Sequence, residues 1–306
     1  MSGTNTLIEL AADKDYDRLD TFLAERLCIS RTKAQKLISS KNVRSNVKLK
    51  TSSKVTAGQR FTVKPVESPN LTELKAEDVA FDVIYEDPHL LVINKPAGLV
   101  VHPAPGNWEH TLVNGLVYRY PEIRNIGHRL RPGIVHRLDS PTSGLMIAAR
   151  TEKVSFDLQK LFSERKVNKT YLAIAHNVPA KREGILSGPM DRDPDNFTRM
   201  VVIEGGKPAL TGYRVLCGMN GHSLVECKLF TGRMHQIRVH MSALGCPLVG
   251  DTMYGAQNFG DEFTGRIYLH SWKLEFTHPA TGERMSFRQT VPHDFRGMIA
   301  RIRLGA

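Results

Sequence analysis

The decapeptide His-Arg-Leu-Asp-Ser-Pro-Thr-Ser-Gly-Leu, residues 136–145, sets one carboxylate between basic residues and a Thr-Ser-Gly turn. Ile134 and Val135 precede it after a Pro-Gly turn, and the apolar run 145–149 that follows is typical of a buried strand. We therefore expect Asp139 to lie in a loop between two strands. A loop carboxylate on a rigid sheet is a common position for a catalytic group, although a turn aspartate bonded to its own backbone is the simpler interpretation.

The decapeptide resembles the signature of the RluA/RluD-type pseudouridine synthase family, in which the aspartate, here Asp139, is the catalytic residue. Met234 departs from the family pattern, where a small hydroxyl residue is more usual, but its neighbours Arg233 and His235 are retained. We therefore expect catalysis to be unaffected. Further blocks that match the family, in the same order, are residues 85–87, 91–103, 169–173, 231–241 and 247–251.

The resemblance implies a reaction and three catalytic residues. Pseudouridine formation breaks the bond between uracil and ribose, turns the base and rejoins it through its carbon 5, so no cofactor is implied. An ionised Asp139 suits this reaction as a nucleophile at the sugar or the base, or as a base that removes a sugar proton. Arg233 matches the family arginine that pairs with this carboxylate, with phosphate binding as its alternative role. Tyr171 matches the tyrosine that stacks on uracil, although a strand tyrosine is otherwise commonly a core residue.

Two neighbours of Asp139 are expected to serve RNA binding. A uridine inside folded RNA must be flipped out before it reacts, and a side chain must hold the gap. Arg137 is the candidate because a guanidinium plane can stack on bases, with a salt bridge to a nearby carboxylate as its alternative role. His136 is expected to support the catalytic residue at the same RNA-binding surface.

The first quarter of the chain is strongly basic. The whole sequence carries a formal net charge of +11, which favours a polyanionic partner such as nucleic acid or an acidic membrane surface. Residues 30–64 contain ten basic residues and no acidic one, which predicts phosphate binding, although a charge run is usually a solvated face. The expected RNA-binding residues here are Arg31, Lys33, Lys36, Lys41 and Arg44.

The pattern of residues 17–64 predicts a small module of two helices followed by short strands. It resembles the RNA-binding domain first described in small-subunit ribosomal protein four, although Arg-Ser-Asn-Val at residues 44–47 replaces the usual Val-Asn-Gly turn. The polar segment 67–72 is the expected linker. We therefore predict an RNA-binding domain with its linker over residues 1–75 and a catalytic domain over residues 76–306.

The remainder of the chain has more strand patterns than helix patterns, without regular alternation. This favours an α+β fold around a mainly antiparallel mixed sheet, and the resemblance implies the same architecture. Helical stripes lie within residues 154–162 and 234–244. The candidate strands are residues 81–85, 90–94, 99–101, 145–149, 171–175, 224–230 and 266–270.

Several classes of protein are disfavoured by composition. No apolar run approaches the roughly 18 residues that span a membrane, and the first residues lack the layout of a secretory signal, so we expect a cytosolic protein. The four cysteines form no Cys-x-x-Cys pair, which argues against a zinc site or a disulfide framework. The histidines show no His-Glu-x-x-His pattern, and we expect no metal site.

Other functions remain open at this point. A ribosomal RNA-binding assembly factor without activity is one, and the joint presence of Asp139, Tyr171 and Arg233 argues against it. A carboxylate-based hydrolase of sugars or nucleosides is another, but no second catalytic carboxylate is apparent. Within the family, the basic N-terminal module and residues 102–107 are most similar to the D-type members that modify large-subunit ribosomal RNA, with transfer RNA as the alternative substrate. We expect the enzyme to act as a monomer.

Overall fold

The computed structural model describes residues 7–27, 31–47, 49–64, 74–104, 107–196, 198–260 and 265–305. The chain divides into two compact units, Met1–Thr72 and Glu73–Ala306. Within the ranges given, no helix has the length and apolar character that a membrane span requires.

The N-terminal unit is a three-stranded antiparallel sheet with two helices. Its strands are β1 (Ile8–Ala11), β2 (Val43–Arg44) and β3 (Arg60–Val63), in the order β1-β3-β2, and its helices are α1 (Leu19–Arg26) and α2 (Arg31–Ser39). Apolar residues of both helices and of the sheet share one core, which explains the helical spacing seen in the sequence. The most buried members are Leu19, Phe22, Leu23, Ala34, Val55, Phe61 and Val63.

The predicted RNA-binding residues of this unit are described in part. Lys41 and Arg44 are exposed, the first in a turn after α2 and the second in β2. The side chains of Arg31, Lys33 and Lys36 lie outside the described part of the structure, although their backbone belongs to α2.

The C-terminal unit is built on a nine-stranded sheet, with a separate two-stranded hairpin, four helices and three short 3₁₀ segments among its described residues. The strands are β4 (Asp82–Glu86), β5 (Leu90–Lys95), β6 (Ser143–Ala149), β7 (Asn168–His176), β8 (Glu183–Ser187), β9 (Met190–Arg192), β10 (Met200–Val202), β11 (Leu210–Met219), β12 (His222–Leu229), β13 (Leu269–Thr277) and β14 (Arg284–Arg288). The helices are α3 (Leu112–Arg119), α4 (Glu152–Ser163), α5 (Gln236–Ala243) and α6 (His293–Leu304). The 3₁₀ segments are Pro121–Asn125, Thr252–Tyr254 and Ala256–Phe259.

The large sheet has the order β4-β5-β6-β13-β7-β12-β11-β8, with β14 paired to β13 and with β9 and β10 forming the separate hairpin. Its pairs are antiparallel except for β6 and β13, which are parallel. The predicted α+β class with a mainly antiparallel mixed sheet is therefore confirmed. Every residue of β6 is buried, which explains why its sequence is a continuous apolar run and not an alternating one.

One predicted strand is wrong. Residues 99–101 form no strand, because their carbonyl groups serve the start of α3 instead of a sheet neighbour. The Val100 oxygen accepts from Leu112 N at 2.8 Å, and the Val101 oxygen accepts from Val113 N at 3.0 Å. The segment thus satisfies the amide donors that a helix leaves unpaired at its first turn.

Three central strands, β6, β13 and β7, bring distant segments of the chain together. Gly144 in β6 pairs with Ser271 in β13, and Ser271 pairs with Tyr171 in β7. Gly144 has φ of 111°, and a Cβ atom there would lie 2.3 Å from the Ser271 oxygen. Only glycine allows this close approach of the two strands. The loop that carries Asp139 therefore enters the sheet next to the strand that carries Tyr171.

Candidate active site

An open cleft of about 430 Å³ lies where the loop before β6 meets β7 and the segment that leads into α5. Asp139 is the single carboxylate among the described residues that line it. The structure thus gathers residues that the sequence predicted from separate motifs. Those that line the cleft are His136, Arg137, Asp139, Tyr171 and Arg233.

Asp139 pairs with Arg238, a residue of α5. Asp139 Oδ2 accepts from Arg238 Nη1 at 3.2 Å. Arg238, whose side chain is 5% exposed, also donates from Nε and Nη2 to the two carboxylate oxygens of Asp251 at 2.7 and 2.9 Å. Burial acts to lower the pKa of Arg238, but its bonds to Asp251 and Asp139 raise that pKa overall. Asp251 therefore holds the Arg238 guanidinium, with its positive charge, against Asp139.

Arg233, to which the sequence assigned this pairing, does not make it, and that prediction is wrong. Its Nε donates to the Pro208 carbonyl at 3.2 Å, and its backbone N–H donates to Gln236 Oε1 at 2.9 Å. The reason is the position of the helix start, since α5 begins at Gln236. Arg238 lies within the first turn of α5 and reaches Asp139, whereas Arg233 belongs to the segment before the helix and remains on the wall of the cleft.

His235 adds a second nitrogen near the carboxylate. Its backbone is left-handed, with φ of 55°, and its Nδ1 lies 2.8 Å from the Tyr254 hydroxyl, whose oxygen accepts from Met200 N. The Tyr254 O–H can therefore donate to Nδ1, which leaves the ring proton on Nε2, 3.7 Å from Asp139 Oδ2. Burial lowers the pKa of His235 and nearby Arg238 adds to this, while Asp139 opposes them. The geometry favours a neutral N–H donor facing Asp139.

Tyr171 forms part of the cleft wall from β7. The residue is 6% exposed, and burial together with the charge of Asp139 raises the pKa of its hydroxyl well above the usual range. Tyr171 therefore presents a neutral phenol to the cleft. A ring in this position has the apolar face on which a planar base can stack.

Lys95, the last residue of β5, holds the loop of Asp139. The side chain is fully buried, and its Nζ donates to the carbonyl oxygens of Pro96, Leu99 and Ser140 at 2.7, 2.8 and 2.9 Å. Burial lowers the pKa of Lys95 to about 7. Because Ser140 directly follows Asp139, this bond fixes the backbone beside the carboxylate.

Arg266 ties the same loop to the C-terminal helix. Its Nη1 donates to the Pro141 carbonyl at 3.0 Å, and its Nη2 donates to Ser143 Oγ at 3.2 Å. Its Nε donates to Asp294 of α6 at 2.7 Å. Two buried basic side chains from distant parts of the sequence, Lys95 and Arg266, thus hold the loop, and both bond to it through backbone or hydroxyl oxygens.

His136 and Arg137 have different environments. His136 Nε2 accepts from Ile147 N at 2.9 Å, and its ring stacks on Phe162 with centroids 4.4 Å apart. Burial, helped by the charge of Lys169, lowers the pKa of His136 to about 3. These contacts favour a supporting role for His136 over direct contact with RNA. Arg137 is exposed at the cleft, where a ligand can reach its guanidinium.

Sequence reasoning missed Arg238 and Asp251 as members of the site. Both lie inside motif blocks, residues 231–241 and 247–251, so the signal was present in the sequence. Which arginine reaches Asp139 depends on where α5 begins, and the motif does not show this. Among the described residues, no group of three or more His, Cys, Asp or Glu side chains is placed to hold a metal ion.

Comparison with known families identifies two segments. Residues 89–243, about half of the chain, match the family described as RNA pseudouridylate synthase. Residues 17–60 match the S4 domain. The first segment contains Asp139, Tyr171 and Arg238, and the second lies in the N-terminal unit.

Individual relatives extend the match over nearly the whole chain. The sequence is 39% identical over 295 residues to ribosomal large subunit pseudouridine synthase D of Nitrosomonas europaea, which covers 94% of this chain and 84% of the relative. It is 38% identical over 298 residues to an RNA pseudouridine synthase of Bacillus subtilis, with 97% of each chain covered. The solved structure of human RNA pseudouridylate synthase domain containing 4 matches with a TM-score of 0.57 and 29% identity, over 72% of this chain and 92% of that chain.

Proposed function

The chain belongs to the RNA pseudouridylate synthase family and is an RNA pseudouridine synthase, an isomerase, and from that premise we propose that its substrate is large-subunit ribosomal RNA. One observation carries this proposal. A relative named for the large ribosomal subunit aligns with 94% of this chain, so the alignment includes the basic N-terminal unit as well as the cleft.

We propose that Asp139 is the central catalyst. The Arg238 guanidinium, held by Asp251, places its positive charge against Asp139, and the backbone bonds of Lys95 and Arg266 fix the loop on which Asp139 lies. Held in this way, Asp139 can act at the sugar or at the base without first reorganising its surroundings. Tyr171 supports the uracil by stacking.

We propose that the target uridine leaves its stack to reach Asp139, because the carboxylate lies inside a cleft of about 430 Å³ and not on a flat surface. We infer that Arg137, exposed beside Asp139, occupies or stacks against the position that the base vacates. Arg233, on the cleft wall but not paired with Asp139, is better placed for an RNA phosphate than for the chemical step.

We assign the basic N-terminal unit, which together with the linker is the predicted domain of residues 1–75, to binding of the same RNA. Lys41 and Arg44 are exposed there and free to approach phosphates. We further propose that the enzyme acts as a monomer and in the cytoplasm, together with its ribosomal substrate.

The test is tritium release from large-subunit ribosomal RNA labelled at carbon 5 of uracil, since that proton is lost when the new carbon–carbon bond forms. We expect release by the wild type and a decrease of at least about 10³-fold for Asp139→Asn. Equal release by both proteins would exclude Asp139. If neither released tritium from naked RNA, assembled large subunits and transfer RNA would be tried next, and release from transfer RNA alone would overturn the ribosomal assignment.

A further inference from the structure

Lys169 is a half-buried cation in the cleft, and it has no role in the proposed catalytic step. It lies on β7 two residues before Tyr171, so the two side chains share one face of the strand. Its Nζ lies 5.5 Å from the centre of the Phe162 ring. Across the described ranges, no carboxylate lies within the 4.0 Å ion-pair distance of this ammonium group.

The arginines of the cleft differ from Lys169, because Arg137 and Arg165 are exposed to water and the other two have a hydrogen-bond partner. Arg238 is paired with Asp251 and Asp139, and Arg233 donates to a backbone carbonyl. Burial lowers the pKa of Lys169, as expected for an ammonium that has lost part of its water without gaining an anion. A partly desolvated cation without an anionic partner is unfavourable, unless a ligand supplies the missing negative charge.

Gly232 keeps this ammonium open to the cleft. A Cβ atom at position 232 would lie 3.2 Å from Lys169 Nζ. Gly232 is not among the residues with positive φ, so its backbone does not require glycine. The absence of a side chain at position 232 therefore leaves space beside Lys169 Nζ, and this space allows a ligand to approach the ammonium group closely.

The charge of the cleft limits the kind of ligand. Asp139 is the single acidic residue among its described lining and is already paired with Arg238, so the other charged residues of the lining are cationic. Uracil and ribose are uncharged, and the only anions in an RNA substrate are its phosphodiesters. We propose that Lys169 binds the phosphodiester next to the target uridine and thereby positions the flipped nucleotide over Asp139. This inference rests on the proposed function.

The experiment compares wild type with Lys169→Gln and Lys169→Arg. Lys160→Gln is the matched control, because it removes the same charge from an exposed lysine of α4 whose Nζ lies 4.0 Å from Glu164. Equilibrium binding to carbon-5-tritiated large-subunit ribosomal RNA is measured from about 50 to about 200 mM salt, with each variant placed in the Asp139→Asn background to prevent turnover. Tritium release is measured with Asp139 intact.

If Lys169 binds a phosphate, Lys169→Gln weakens binding about tenfold and lowers the slope of log affinity against log salt by about 0.7 to 0.9. KM rises more than kcat falls, Lys169→Arg retains most of the affinity, and Lys160→Gln changes the slope little. Gly232→Ala, which crowds Nζ without removing charge, also weakens binding, and thermal unfolding confirms that each variant is folded.

A decrease in kcat with an unchanged salt slope would overturn the proposal, because it would place Lys169 at the base or in the chemical step. The proposal would also be overturned if Lys169→Gln changed the salt slope only as much as Lys160→Gln does. The effect would then come from the net charge of the protein and not from a phosphate contact at Lys169. Failure of the proposed function looks different, since wild type itself would release no tritium from ribosomal RNA while the binding slopes could still be compared.

Discussion

The N-terminal unit and the catalytic cleft both carry positive charge, but they hold it in opposite ways. In the N-terminal unit Lys41, Arg44 and Arg60 are exposed, so water already compensates their charge. At the cleft, Arg238 and the Asp251 behind it are 5% and 1% exposed, and the charge of each is compensated by the other. The attraction of exposed charges for RNA grows with their number and is weakened by salt. The interaction energy of a buried ion pair depends instead on its geometry.

The largest expected effect breaks the buried pair. Arg238→Met leaves Asp251 buried without a partner and removes the charge beside Asp139, so we expect about 3 to 5 kcal/mol loss of unfolding free energy and loss of tritium release. Arg233→Met is the control, because it removes the same charge from a guanidinium that donates to a backbone carbonyl. We expect it to lower the unfolding free energy by less than about 1 kcal/mol. Denaturant unfolding and tritium release measure both, and equal effects of the two substitutions would contradict the pairing described here.

A smaller effect is expected from the clamp on the loop. Lys95→Met leaves the carbonyls of Pro96, Leu99 and Ser140 without this donor, which should cost about 1 to 3 kcal/mol and lower kcat more than it raises KM. Lys228→Met, at an exposed position of β12, is the control and should leave kcat unchanged. The idea that Lys95 positions Asp139 would be abandoned if Lys95→Met lost stability but kept the wild-type kcat.

The third expected effect depends on pH. The pKa of His136 is lowered to about 3, so between about pH 6.5 and pH 3 the unfolded chain binds a proton here that the folded chain does not. Stability is therefore lost as pH falls through this window, by up to about 1.4 kcal/mol per pH unit from this group. His136→Gln should show a shallower decline than wild type in unfolding measured across that range. His293→Gln, at an exposed position, should follow the wild-type curve.

The smallest effect on stability is expected in the N-terminal unit. Arg44→Gln and Lys41→Gln should each change the unfolding free energy by less than about 0.5 kcal/mol, because both side chains are exposed. Each should lower the salt slope of RNA binding by about 0.7 to 0.9 if it contacts a phosphate. Binding titrations at several salt concentrations give the slopes, and a double variant that lost no more slope than either single one would argue against separate phosphate contacts.

Much of the fold was predictable because it depends on local pattern. The continuous apolar run at residues 145–149 and the stripe at residues 154–162 correspond to β6 and α4. The segment 99–101 has an equally apolar pattern but caps α3. Its carbonyl groups accept hydrogen bonds from amides at the start of that helix and not from a neighbouring strand. An apolar pattern indicates that a segment is buried. It does not indicate which element will provide the hydrogen-bond partners of its backbone.

The candidate site divides in the same way. Local pattern was enough to predict that Asp139 lies in a turn before a buried strand and that Tyr171 lies on a strand, because turn chemistry and strand periodicity involve neighbouring residues. That Arg238, 99 positions away, and not Arg233, reaches Asp139 follows from the packed fold. Likewise, only the fold brings Lys95 to the Ser140 carbonyl, 45 positions away. Such pairs depend on strand order, on where a helix begins and on the direction of each side chain, and these are fixed when the whole core packs together.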